Sequence, residues 1–144
     1  MIPNAKWIRP AQTTGDVCPV YSKQFSLFSS PNQSLSSVAH ATLSVTAMGV
    51  YEASLNGKRI GDFVLAPGWT SYRHRLQVQT YDVTDLLHAG KNRLGFWLGK
   101  GWYAGRFGFL DRKRGIFGDE LKLLAELVIE LADGRTVTVV SDDS

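Results

Sequence analysis

Sulfur chemistry and long apolar runs are nearly missing from this chain. Its 144 residues hold one cysteine, Cys18, which excludes an internal disulfide framework and a cysteine-rich zinc site. No apolar stretch approaches the roughly 20 residues that span a bilayer as a helix. The start, MIPNAKWIRP, lacks the basic and apolar regions of a secretory leader. The expectation is therefore a cytoplasmic protein, or one whose leader is not included. Charge of one sign is also scarce. Sixteen Lys and Arg against thirteen Asp and Glu leave a net charge of +3, too little to imply a nucleic-acid partner. Neither a nucleic acid nor a membrane is expected as a partner.

Catalytic signatures are lacking too. The carboxylates are scattered, and nothing pairs two of them as glycoside hydrolysis requires. Asp119 and Glu120 are adjacent, so on a strand they would point to opposite faces. His40, His74 and His88 have no second ligand at metal spacing, so no metal site is expected. There is no Gly-x-Ser-x-Gly elbow. Gly99, Gly101 and Gly105 imitate a dinucleotide fingerprint, but the spacing is one residue too long and no helix follows. Asn32-Gln33-Ser34 is a glycosylation sequon that has meaning only in a secretory pathway.

What the chain does have is β pattern and turns. Pro3, Pro10, Gly15 and Pro19 make residues 1–19 extended or irregular, with Lys6-Trp7-Ile8 a short strand pinned by its indole. Strands are expected at Val20–Phe28, Leu43–Ala47, Val50–Leu55, Lys58–Ile60, Leu76–Tyr81 and Leu94–Leu98. Phe63–Leu65 reads as a short extended piece, and Ser29–Ser37 as a polar connector. Asn56-Gly57 tolerates the positive φ angles of a type I′ turn and marks a hairpin. Ala66–His74 is a loop turned by Pro67-Gly68. Asp82–Leu87 reads as one helical turn capped by Asp82 or Thr84. Gly99–Asp119 is a long loop with six glycines.

Lys122–Leu131 fits two patterns. Leu121, Leu124, Ala125 and Val128 have helical spacing, whereas Leu123, Ala125, Leu127, Ile129 and Leu131 are apolar at every second position. Asp133-Gly134 and the β-branched run Thr136–Val140 follow, which favours a strand and a hairpin. The chain is thus read as one all-β domain over residues 1–144, a β-sandwich of the jelly-roll kind.

Large rings crowd the loops. Trp69, Tyr72, Trp102, Tyr103, Phe107 and Phe109 lie beside Arg and Gly. Sugar rings present apolar C–H faces to Trp and Tyr, and their hydroxyls pair with Arg, Asp and Asn. Trp69, Tyr72, Trp102, Tyr103, Arg106 and Asp119 are accordingly the candidate carbohydrate-binding residues. Two other readings stay open: the rings fold inward and cap the sandwich, or they dock against another domain. Arg73-His74-Arg75 and Arg112-Lys113-Arg114 are basic clusters beside these rings. A base-stacking surface would use both, but the modest net charge favours a solvated loop face.

These residues carry a family resemblance. Gly49-Val50-Tyr51-Glu52, Leu55-Asn56-Gly57-Lys58-Arg59-Ile60-Gly61 and Leu65-Ala66-Pro67-Gly68-Trp69-Thr70 with Tyr72 and Arg75 resemble the N-terminal domain of bacterial α-L-rhamnosidases, glycoside hydrolase family 78. So do Gln79–Leu87, Gly101-Trp102-Tyr103, Gly105-Arg106, Gly108 and Gly118-Asp119. The hairpin and the Asp-Val-Thr turn support only the fold. The Pro-Gly-Trp-Thr-x-Tyr and Gly-Trp-Tyr-x-Gly-Arg pieces are the specific ones.

The resemblance implies a galactose-binding-like jelly roll in a parent enzyme that removes terminal non-reducing α-L-rhamnose with inversion. It places the catalytic carboxylates in a separate (α/α)6 barrel beyond Ser144, so no catalytic residue is carried over and the fragment alone is expected to be inert. The implied role is an accessory one: assisting recognition of rhamnosides, or bracing the catalytic domain with no sugar contact. A free-standing glycosidase is the more distant alternative. No cofactor is expected. Related modules bind rhamnose through calcium, but Arg73-His74 here fills an interval where an acidic residue is common in the family, which argues against calcium.

Overall fold

The computed structural model describes residues 2–11, 17–28, 37–106 and 113–143. The sequon Asn32-Gln33-Ser34, most of the Ser29–Ser37 connector, Phe107, Gly108, Phe109 and Arg112 lie outside them. Among the described residues, eight strands form two antiparallel four-stranded sheets. They are β1 (Val20–Leu27), β2 (Val38–Met48), β3 (Val50–Leu55), β4 (Lys58–Arg59), β5 (Gln79–Asp82), β6 (Gly90–Gly99), β7 (Lys122–Leu131) and β8 (Thr136–Val140). One sheet has the order β1-β6-β3-β4 and the other β5-β2-β7-β8.

Period-two burial builds the core. Leu43, Val45 and Ala47 on β2 meet Leu123, Ala125, Leu127 and Ile129 on β7 in direct register, from Ala47↔Leu123 to Ala41↔Ile129. Across the gap, Tyr51, Ala53 and Leu55 on β3 and Leu94, Phe96 and Leu98 on β6 supply the facing layer. Burying each Leu or Phe stabilises by about 1.5–3 kcal/mol, so these two central pairs dominate the sandwich. Trp97, between Phe96 and Leu98, points outward as the alternation requires. The ambiguity over residues 122–131 resolves as strand, because β2 offers a ten-residue partner that no isolated helix would have.

The Asn56-Gly57 turn has both φ angles positive, 54° and 80°, and joins Leu55 to Lys58 as a type I′ hairpin. Asn56 also binds across the sheet. Its Nδ2 donates to Leu86 O and to Asn92 Oδ1, both at 2.8 Å, and its Oδ1 accepts from Arg93 N at 2.9 Å. Asn92 is fully buried, and its Nδ2 donates to the carbonyls of His88 and Gly90. Asp82 Oδ1 accepts from both Thr84 N and Thr84 Oγ1, tightening the short 3-10 turn Thr84–Leu86.

Four local expectations change. Leu76–Val78 is irregular, and β5 begins only at Gln79; the Gln77 carbonyl is taken by the buried Thr46 hydroxyl at 2.7 Å. Phe63–Leu65 is a turn region, with Leu65 at φ 58°. Residues 101–104 leave the expected loop and form one helical turn, α1 (Gly101–Ala104). The N-terminal segment is held by backbone bonds of Lys6 to Ser141 and of Ile8 to Leu123; Trp7 itself is well exposed.

Candidate functional site

The rings converge where β3 and β6 end. Val50 pairs with Gly99, and the chain then turns into α1 at Gly101, whose φ is 49°. A Cβ at Gly101 would lie 2.5 Å from Val50 Cγ1, so only glycine lets α1 start this close to β3. The turn sends Trp102 and Tyr103 toward the Pro67–Arg75 loop.

That loop is anchored from below. Tyr51 N donates to Ala66 O at 2.6 Å, and Ala66 and Pro67 are buried, the peptide between them being cis. Gln79 Nε2 donates to Pro67 O, while Gln79 Oε1 accepts from the Tyr51 hydroxyl, which also contacts the Tyr81 hydroxyl at 3.2 Å. Burial pushes the Tyr51 hydroxyl far above the usual phenol range.

On this base the aromatic residues divide into two groups. Trp69 stacks on Trp102 with centroids 6.1 Å apart and planes 17° from parallel, and Trp69 keeps 52% of its surface exposed. Tyr72 meets Tyr103 edge to face at 5.3 Å and Phe117 at 5.2 Å. Tyr72 donates to Gly68 O at 3.3 Å, and burial raises its pKa. The Tyr103 hydroxyl reaches Met48 Sδ at 3.6 Å, and its ring occupies the space a side chain at Gly118 would need. The two tyrosines thus pack inward beneath the rim, while the indole of Trp69 is displayed.

Arg106 and Asp119 are both exposed. Arg106 forms an isolated backbone bridge with Arg114, and Asp119 lies beside Gly115 at the far end of the same excursion. Its neighbour Glu120 turns away to Lys122 at 2.8 Å and Arg9 at 2.7 Å; these hydrogen bonds, Lys122 first, hold its carboxyl below the usual range. Arg73, His74 and Arg75 are exposed on a turn built on Ser71 O. Among the described residues no three His, Cys, Asp or Glu side chains gather at metal-binding distance.

Phe117 and Met48 were not singled out by sequence, and Gly118 entered only as part of the family resemblance. Phe117 carried a signal, being a ring in the same glycine-rich stretch. Met48 carried none, and nothing in the sequence tied it or Gly118 to Tyr103, since only the fold brings them there.

A separate cavity of about 860 Å³ opens at the seam between β1 and β8, lined by Tyr21, Leu94, Phe96, Leu123, Val139 and Trp7 among others. It shares no residue with the rim. The Tyr21 hydroxyl is buried there without a hydrogen-bond partner among the described residues, and desolvation pushes its pKa up to about 12.

The sequence and the fold both have close parallels. The α-L-rhamnosidase N-terminal domain profile matches residues 36–144. An α-L-rhamnosidase of Streptomyces avermitilis is 47% identical over 104 residues, covering 72% of this chain and 10% of that protein. The crystal structure of native α-L-rhamnosidase from Aspergillus terreus superposes with a TM-score of 0.84 at 42% identity, over 97% of this chain and 16% of that one. The Streptomyces avermitilis α-L-rhamnosidase structure complexed with L-rhamnose superposes with a TM-score of 0.75 at 42% identity, over 85% of this chain and 11% of that one. The chain therefore spans about a tenth to a sixth of the length of the relatives it matches.

Proposed function

The chain belongs to the α-L-rhamnosidase N-terminal domain family, and on that premise we propose that it is a non-catalytic accessory domain that helps a parent α-L-rhamnosidase hold terminal α-L-rhamnosides. The parent hydrolyses the rhamnosidic bond with inversion, using carboxylates on polypeptide outside this chain. The observation that carries the recognition role is the half-exposed indole of Trp69 laid flat on Trp102. A backed, solvent-facing indole suits the C–H face and methyl group of a 6-deoxy sugar. Arg106 and Asp119, both exposed on the same excursion, supply a donor and an acceptor for hydroxyls. Tyr72 and Tyr103 support this surface from beneath.

Titration of the 144-residue chain with L-rhamnose, followed by tryptophan emission with and without calcium, tests the reading. A saturable change that disappears in Trp69→Ala supports it. A folded domain whose emission is flat to tens of millimolar sugar overturns the recognition role. Equal affinity with and without calcium is expected, because Arg73 adds positive charge beside Tyr72.

The second reading is a purely structural module that braces the catalytic domain. The inward packing of Tyr72, Tyr103 and Phe117 favours it, since partly buried rings packed on each other offer less surface to a ligand.

A further inference from the structure

Three consecutive apolar residues, Phe63, Val64 and Leu65, are displayed to solvent at 51%, 70% and 51% exposure. Two more exposed apolar residues flank them through the same loop system: Trp69, and Val78 just before β5. Val78 is tied to this surface because Gln77 Nε2 donates to Trp69 O and Gln79 Nε2 to Pro67 O. A contiguous apolar display of this kind marks an interaction surface rather than ordinary scatter.

The display is also held in place. Leu65 has φ 58°, a left-handed conformation that is uncommon and unfavourable for a leucine. Asn or Gly would fit that backbone without strain, so an apolar side chain is kept there against the local preference. Gly68 N donates to Leu65 O at 2.9 Å, Arg59 Nη2 reaches Phe63 O at 3.4 Å, and Ala66 is bridged to Tyr51. The surface is preorganised, which lowers the entropic cost of docking.

We propose that Phe63, Val64 and Leu65 form the docking face for the remaining polypeptide of the parent enzyme, and that this face meets an apolar patch rimmed by carboxylates. The proposal rests on the accessory-domain reading above. Two facts select this occupant. The relatives carry about nine-tenths of their length outside the matched region, so a large covalently linked partner accompanies this domain in them. Arg59 is paired with Glu52 at 3.6 Å, but between residues 58 and 75 Lys58, Arg73 and Arg75 still stand against one carboxylate, Asp62, and the complementary surface is therefore acidic.

Hydrogen exchange on the 144-residue chain and on the full parent polypeptide tests this. Amides of residues 62–65 should exchange at least tenfold more slowly in the parent, with β2 and β7 unchanged. Leu65→Asn gives the second readout. It relieves the backbone and should raise the melting temperature of the isolated chain, yet it should lower that of the parent by removing the docked side chain. Equal exchange in both proteins, or a rise in melting temperature in both, overturns the proposal. So does dimerisation of the isolated chain that Val64→Asp abolishes, which would assign the face to a second copy. Slowing of 62–65 by L-rhamnose alone would assign it to sugar. A failed rhamnose titration would not affect these outcomes, so the two readings fail separately.

Discussion

Trp69 lies in a loop and Trp102 in the single turn of α1, yet their ring centroids are 6.1 Å apart and the planes within 17° of parallel. One is displayed and the other supports it, and their replacement should separate binding from stability. Trp69→Ala should abolish any rhamnose-dependent emission change while costing under about 1 kcal/mol, because half of the ring already faces water. Trp102→Ala removes the half-buried partner and should cost about 2 kcal/mol as well as weakening the sugar response. Urea unfolding beside the titration checks both. Equal effects of the two variants on stability would contradict this division.

Asn92 is the polar residue on which one end of the sandwich depends. Its side chain accepts from Asn56 Nδ2 and His88 N, both at 2.8 Å, and donates to the carbonyls of His88 and Gly90. Asn92→Ala would leave several buried groups unpaired, and a loss of about 3 kcal/mol is expected. Asn92→Asp restores the acceptor but not the donors, and adds charge at a buried site, so it should be no better. Chemical denaturation of the two variants gives the answer directly.

Acid sensitivity should come from three exposed carboxylates. Thr84 hydrogen bonds, through side chain and then backbone, lower the Asp82 pKa; Lys122 and then Arg9 lower that of Glu120; Arg135 lowers that of Asp133. A carboxyl whose folded pKa is depressed binds fewer protons folded than unfolded. Its contribution is complete above the unfolded value near 4 and is lost as pH falls through the folded value. Melting temperature should therefore hold steady above about pH 5 and fall below about pH 4. Asp82→Asn should flatten part of that fall, and a profile identical to the unsubstituted chain would refute its role.

The β framework was legible because its signals were local and repeated. Leu43, Val45 and Ala47 on β2 and the five alternating apolar residues of β7 announce a half-buried strand each, and Asn56-Gly57 announces the hairpin. The site was legible only as an inventory of rings. Whether a loop ring faces in or out depends on the space beneath it. Tyr103 turns inward because Gly118 offers no side chain and Met48 offers a sulfur acceptor, both distant in sequence. Phe63-Val64-Leu65 reads as a strand fragment by composition, but the positive φ at Leu65 ends any extended run. The single turn of α1 lies among glycines, where no helical period can register.

Tyr21 offers a gain in stability. Its hydroxyl is buried at the β1–β8 seam with no partner among the described residues. Tyr21→Phe keeps the ring against the core and removes the desolvated group. Stability should stay level or rise by up to about 1 kcal/mol, and the rhamnose response should not change because the seam shares no residue with the rim. A loss above about 1 kcal/mol would mean that the hydroxyl has a partner in solution.

Gly118 controls the underside of the rim through space rather than backbone freedom. A Cβ there would fall on the Tyr103 hydroxyl end of the ring. That end can swing away, so Gly118→Ala should displace Tyr103 rather than unfold the sandwich. Displacement breaks the edge-to-face contact with Tyr72 and the approach to Met48, an overpacking cost of about 1–3 kcal/mol. Near-ultraviolet circular dichroism should change while the far-ultraviolet β signal stays. If Tyr103 supports Trp102 through α1, the same variant should weaken the response assigned to Trp69 without touching it. An unchanged near-ultraviolet spectrum would show that the inward packing of Tyr103 is not what holds the rim in shape.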